Sequence, residues 1–462
     1  MRVKKTIRRI LLLLLLAVVG YGVYYCWITF PIISSFGAKN LCSCLFVSGR
    51  PEADIRKNEL DDFPATLGSF KVNREDSTVT GTVWGLAKQK VIYRPGIGCT
   101  LLNGENEKTV RAQPFPLIPP PHLNTDTIPW PMGDRLPDTF PATVNKTKLE
   151  EAVANAFTEP YPGKQQRTRA VLVVYDGQLV AEKYAAGYDR HTKMLGWSMA
   201  KSITAALIGI LVQQGKLSVT APAPIPAWAA STDPRHAITL QNLLQQESGL
   251  DFVEDYSGAS DATNMLFKYG DAAAYTAARP LKHTPGTVFY YSSGNSNLLS
   301  FIVRQATGSS YASFPATALF HKTGMYNSLL EPDASGTFVG SSFIYSTARD
   351  FARFGLLYYN DGMANHERIL PEGWVKQSRT PTPENEDKEY GYQFWLNGFK
   401  DGDRKFPLFP DVPLDMFYAD GYGGQEIYII PSRKLVVVRL GLTLDRSFNE
   451  NAFLKSILAT VP

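Results

Sequence analysis

Gly196-Trp197-Ser198-Met199-Ala200-Lys201-Ser202 opens an apolar, helix-patterned stretch that continues from Ile203 to Leu211. Residues three apart on a helix share a face, so Ser198 and Lys201 present a hydroxyl and an amine side by side at a helix N-terminus. A serine hydroxyl becomes a useful nucleophile when a neighbouring base takes its proton. The helix N-terminus adds free N–H groups and a positive dipole end that favour developing negative charge. The pair therefore suits acyl transfer. At ordinary serine and lysine usage a chain of this length shows about two Ser-x-x-Lys pairs by chance, so its meaning rests on what accompanies it.

Two further segments accompany it. Pro285-Gly286-Thr287-Val288-Phe289-Tyr290-Tyr291-Ser292-Ser293-Gly294-Asn295 runs from a turn through aromatics into a loop of small polar residues, suited to pointing a phenol and hydroxyls into a cleft. Positive charge on Lys201 is expected to lower the Tyr291 phenol and make a tyrosinate base beside Ser198. Tyr290, alternating away from Tyr291, is expected to pack. Ala419-Asp420-Gly421-Tyr422-Gly423-Gly424-Gln425 leads into a strand at Glu426–Ile430. Glycines there allow close approach of backbone, and the strand edge can offer an N–H to an oxyanion.

In this order the three segments resemble the serine β-lactamase and penicillin-binding superfamily, and within it the class C-like branch of esterases and 6-aminohexanoate-dimer hydrolases. Ile238-Thr239-Leu240-Gln241-Asn242-Leu243-Leu244, Glu247-Ser248-Gly249-Leu250-Asp251-Phe252, Tyr345 through Gly355, and Tyr392-Gln393-Phe394-Trp395-Leu396-Asn397 extend the resemblance across roughly 146–462. It implies a β-lactamase-like α+β fold: an antiparallel sheet flanked by helices, plus a mostly helical subdomain. It also implies Ser198 as the acylated nucleophile, Lys201 as its proton partner and Tyr291 as the base relaying the proton to the leaving group. The N–H groups of Ser198 and Tyr422, with Gly421, would form the oxyanion site, and Ser293 would touch substrate. Two positions depart from the family pattern. Its Tyr-x-Asn is here Tyr291-Ser292-Ser293, and the Lys or His of its third motif is Ala419. Both departures remove groups that grip a β-lactam, which favours an amide or ester hydrolase. A cell-wall D-amino-acid peptidase or esterase would use the same machinery, and a non-catalytic membrane-tethered binding protein is the reading from another class. No metal or organic cofactor is implied.

The 462 residues are 44% hydrophobic and 19% charged, enough for a large core. Net charge is +4, with Arg2, Lys4, Lys5, Arg8 and Arg9 all in the first nine residues. The body is thus near neutral, and no basic stripe suggests nucleic acid. Residues 1–9 read as a basic cytoplasmic head and 10–30 as a membrane span, uncharged and aromatic toward its far end. Its length favours an uncleaved anchor over a removed signal peptide. The expected location is a bacterial inner membrane, crossed once, with the catalytic domain on the periplasmic side. Residues 37–111 read as a small β-rich region, 112–145 as a proline-rich connector and 146–462 as the main domain. Strands at Ala170–Tyr175 and Leu179–Tyr184 flank an Asp176-Gly177 turn, and strands return at Gln425–Ile430 and Leu435–Leu440. The N- and C-terminal strands of the main domain are expected to share one sheet.

Cys42 or Cys44 is expected to pair with Cys99. The histidines at 122, 191, 236, 283, 321 and 366 show no metal spacing. Gly196-Trp197-Ser198-Met199-Ala200 approximates Gly-x-Ser-x-Gly, but a nucleophile elbow needs a strand immediately before it, and Lys193-Met194-Leu195 is a poor one. Arg349 and Arg353, one helical turn apart, are expected as structural ion-pair partners.

Overall fold

The computed structural model describes residues 2–115, 118–119, 121, 123–159, 165–445 and 447–462. His122 and Pro120 of the proline-rich stretch lie outside the described residues. The first helix, Arg2–Phe46, does not end at residue 30. Its outer half is exposed and is long and apolar enough to cross a membrane, with a mean hydropathy of 2.1 over its most apolar stretch. From Thr29 onward it is largely buried. Ser34, Ser35 and Gly37 are weaker helix formers, but together with Ala38 they form the face on which a sheet packs. That sheet is the antiparallel meander β1 (Gly68–Asn73), β2 (Thr78–Val83), β3 (Leu86–Arg94) and β4 (Gly98–Leu101). A Cβ on Gly81 of β2 would stand 2.2 Å from the Ser34 carbonyl oxygen, so only glycine allows this approach. Residues 37–46, expected within a β-rich region, are therefore helical, and tertiary packing supplies the reason.

Cys42 of the helix is disulfide-bonded to Cys99 of β4, and Cys44 is a buried free thiol. The bridge closes a sequence separation of 57 residues. Its removal in a Cys42→Ser/Cys99→Ser variant is expected to lower stability by about 2–5 kcal/mol, read from denaturant unfolding.

In the main domain, β5 (Ala170–Tyr175) and β6 (Gln178–Tyr184) form a hairpin. Asp176 and Gly177 both take positive φ, 46° and 82°, as a two-residue hairpin turn requires. A small three-stranded sheet contains β7 (Met194–Leu195), β8 (Leu329–Leu330) and β9 (Ile344–Ser346). A short hairpin follows, β10 (Met363–Ala364) with β11 (Glu367–Arg368). Then β12 (Trp395–Leu396), β13 (Phe417–Gly421), β14 (Gln425–Ile430) and β15 (Leu435–Leu440) join the first hairpin in an antiparallel sheet ordered β12-β13-β14-β15-β5-β6. The strands from the two ends of this domain meet at β15 and β5.

The central strands are continuous apolar runs because both faces of the sheet are covered. Val171, Val173 and Val437 pack against Leu149 and Val153 of helix Lys146–Asn155 and Leu454 and Ile457 of helix Glu450–Leu458. Leu172, Val174 and Val438 face Ile203 and Leu207 of helix Met199–Gln213 and Phe351 and Phe354 of helix Ala348–Tyr359. This is an α+β architecture.

Arg349 and Arg353 are ion-paired, to Glu182 and to Asp350 respectively, and both reach Asp134. Arg353 also donates to the carbonyls of Pro131 and Gly133, which pins the proline-rich stretch to the domain. One expectation about the approach to Ser198 is corrected. Met194 and Leu195 do form a strand, two residues long, because they pair with Ser346 and Tyr345 of β9 rather than through any propensity of their own.

Candidate active site

The turn from β7 into helix Met199–Gln213 is sharp. Trp197 holds φ at 46°, a costly conformation for a non-glycine residue, and Ser198 is the first residue past it. The helix behind is buried from Met199 to Leu211. Its apolar packing therefore holds the end on which Ser198 sits.

Lys201 lies one turn on and is 1% exposed. Its Nζ donates to Ser198 Oγ, Ser293 Oγ and the Ser341 carbonyl, each at 3.0 Å. Burial lowers its pKa to about 8, with the Glu254 and Asp420 carboxylates partly opposing the shift. Near neutral pH an appreciable share of this amine is uncharged and able to take a proton from Ser198.

Tyr291 lies near Ser198, whose hydroxyl weighs on its phenol. Its ring stacks on Trp395 with centroids 5.2 Å apart and meets Tyr390 edge-on at 5.8 Å. Lys201 Nζ lies 4.9 Å from the ring centroid. The expected lowering of this phenol is reversed. Burial, then the neighbouring Tyr390 and Glu254, push Tyr291 well above the usual phenol range. It stays protonated, because loss of solvent outweighs the lowering by the Ser198 hydroxyl. Tyr290 turns away, its hydroxyl accepting from the Glu254 backbone N–H at 3.0 Å.

Ser293 is fully buried behind Lys201 rather than on the cavity wall. Its hydroxyl contacts Lys201, Glu254 Oε1 at 2.5 Å and Tyr256 Oη at 3.0 Å, while its N–H donates to Glu254 Oε2 at 2.8 Å. Sequence placed this hydroxyl against substrate; the fold uses it to link Lys201 to Glu254. Glu254 and Tyr256 escaped the sequence reading because they lie on a loop with no motif spacing.

Gly421 ends β13. A Cβ there would stand 2.2 Å from the Gly196 carbonyl oxygen, so glycine lets the β13–β14 hairpin close against the turn before Ser198. Tyr422 follows, its ring edge-on to Trp197 with centroids 5.7 Å apart. Ala419 is buried in the main core and leaves its position on β13 without a cation.

Ser198 opens on a cavity of about 250 Å³. Its wall includes Trp197, Tyr256 and Tyr422, together with Ile33 and Phe36 of the N-terminal helix and Phe267. No histidine lines it among the described residues. The groups beside the Ser198 hydroxyl are the Lys201 amine and the Tyr291 phenol, both suited to proton transfer.

A family model described as Beta-lactamase matches residues 153–453. The 6-aminohexanoate-dimer hydrolase of Paenarthrobacter ureafaciens is 25% identical over 343 residues, covering 67% of this chain and 83% of that protein. Among solved structures, a family VIII carboxylesterase aligns with a TM-score of 0.53 at 17% identity, covering 68% of this chain and 96% of its own. A penicillin-binding protein homologue from Caulobacter crescentus aligns at 0.53 and 16% identity, covering 71% and 97%. These two structures share the fold.

Proposed function

This chain belongs to the beta-lactamase family, and from that premise we propose that it is a serine hydrolase cleaving an amide or ester through an acyl-Ser198 intermediate. The observation that carries the reading is Lys201 Nζ, buried and 3.0 Å from Ser198 Oγ, with its pKa lowered to about 8. In the uncharged state the amine accepts the Ser198 proton as Oγ bonds to the carbonyl carbon. Negative charge develops on the carbonyl oxygen, and the N–H groups of Ser198 and Tyr422 would receive it. Lys201 and the protonated Tyr291 return a proton to the leaving alcohol or amine as its bond to the acyl carbon breaks. Water then attacks the acyl-enzyme, releasing the carboxylic acid and restoring Ser198.

Ala419 supports an amide or ester substrate over a β-lactam, since β13 carries no cation at that position to hold a substrate carboxylate. The Paenarthrobacter relative makes a linear aminohexanoate amide a reasonable first substrate to test. The basic residues from Arg2 to Arg9 and the exposed apolar half of the first helix support a single-pass anchor in a bacterial inner membrane. The catalytic domain would then face the periplasm.

A fluorophosphonate probe tests the nucleophile. The full chain should be labelled at Ser198, and Ser198→Ala should abolish the labelling. Folded wild-type protein that resists the probe would refute the hydrolase reading, and labelling that persists in Ser198→Ala would refute the nucleophile assignment.

A further inference from the structure

The apolar wall of the Ser198 cavity is built by the same helix that carries the candidate membrane span. Ile33 and Phe36 line the cavity. At 1.5 Å per residue, Phe36 lies only about 9 Å along the helix axis past Phe30, where the apolar run of the span ends. Phe36 stacks on Trp197, the residue before the nucleophile, with centroids 6.3 Å apart and planes at 11°, and meets Phe267 edge-on at 5.7 Å. The loop bearing Tyr256 reaches the span itself: Tyr25 Oη would be 3.9 Å from a Cβ built on Gly258. One continuous helix thus holds the reacting hydroxyl within a short distance of the bilayer surface.

The surface around this end is apolar in a way that water does not favour. Phe63, next to the cavity-lining Pro64, is 79% exposed, and Trp84 is 70% exposed. Trp84 sits in the β2–β3 turn edge-on to Phe30, with centroids 5.1 Å apart, and so lies beside the end of the span. Trp27, on the span, is 79% exposed. Exposed aromatics gathered where a helix leaves a bilayer match a membrane–water interface. Exposed apolar surface of this kind marks contact with a lipid or an apolar ligand rather than with solvent.

We propose that the cavity takes the acyl chain of a membrane-resident amphiphile, an ester or amide whose carbonyl lies at headgroup depth. The chain enters from the bilayer side past Phe63 and lies along Ile33, Phe36 and Phe267, which sets the carbonyl carbon against Ser198. Ser198 Oγ bonds to that carbon, and the alcohol or amine leaves with a proton. Water then releases the long-chain carboxylic acid and regenerates the hydroxyl. The inference rests on the hydrolase and anchor readings above and adds the substrate class.

The test uses the full chain reconstituted in phosphatidylethanolamine and phosphatidylglycerol vesicles, with p-nitrophenyl acetate and p-nitrophenyl decanoate as probes. The leaving group is common to both, so their ratio reports the acyl chain. Each buried methylene favours binding, and wild-type kcat/KM for the decanoate is expected to exceed that for the acetate by about tenfold or more. Ile33→Trp fills the apolar end and should bring the ratio close to one. The milder Ile33→Phe, which guards against misfolding of the first variant, should give an intermediate ratio, with folding of both checked by circular dichroism. Equal kcat/KM for the two esters in the wild type, or an unchanged ratio in both folded variants, would overturn the proposal while leaving the hydrolase reading intact. No turnover of either ester, together with no fluorophosphonate labelling of Ser198, would overturn both.

Discussion

Lys201→Met is expected to slow acylation of Ser198 by about 10²–10⁴-fold, the usual worth of a positioned general base. Methionine matches the length and apolar stem of lysine and fills its buried channel, so the fold should persist. Removing an amine that is costly to bury also spares the protein a desolvation penalty. The pH profile gives the sharper signature. The reactive form of Lys201 is the unprotonated one, and burial sets its pKa at about 8. The wild-type acylation rate should therefore rise with pH, level off above about 8, and fall roughly tenfold per unit below it. Tyr291 cannot supply this limb, because its phenol titrates well above the usual range. Stopped-flow release of p-nitrophenolate from an activated ester, followed across pH, measures both effects. A variant that keeps the wild-type limb would show that the titrating base is another group.

Lys39→Met is expected to destabilise the protein by about 3–5 kcal/mol, the cost of leaving a buried carboxylate without its cation. Lys39 belongs to the N-terminal helix and is ion-paired to Glu331, which follows β8 in the main domain, and both side chains are almost wholly buried. Glu331 also accepts from Ser43 Oγ at 3.0 Å and from the Cys99 backbone N–H at 2.5 Å. These neutral donors cannot replace the lysine charge. Burial lowers Lys39 below its ordinary pKa, with Glu331 opposing the shift, so the pair survives because each charge offsets the desolvation of the other. Lys39→Met/Glu331→Gln removes both charges and should recover much of the loss. Denaturant unfolding of the two variants in detergent decides the matter: equal stabilities would show that the pair contributes little. Because this pair fastens the N-terminal helix to the main domain, weakening it should also disturb the Ser198 cavity, whose wall that helix completes.

Several elements could be read directly from sequence because their causes are local. The Ser198 helix follows from its apolar spacing, and the β5–β6 hairpin follows from Asp176-Gly177. The central strands follow from uninterrupted β-branched runs at Ala170–Tyr175 and Leu435–Leu440. Other features have non-local causes. Helix Arg2–Phe46 continues past Pro31, Ser34, Ser35 and Gly37 because a sheet packs on that face. Strand β7 exists only through pairing with β9. Glu254 reaches Ser293 across a loop whose sequence carries no spacing rule.

By itself the sequence determined which groups are available: a serine and a lysine one turn apart, a tyrosine on a polar loop, a glycine-bearing strand entry and an apolar N-terminal run. Tertiary structure alone decided their states and their surroundings. A pKa depends on the water a group loses and the charges it meets, and neither is encoded in the neighbouring residues. Burial accordingly brings Lys201 down to about 8 and keeps Tyr291 protonated. Packing also turned the N-terminal helix into a wall of the Ser198 cavity, a contact between residues more than a hundred and fifty positions apart that no local pattern announces.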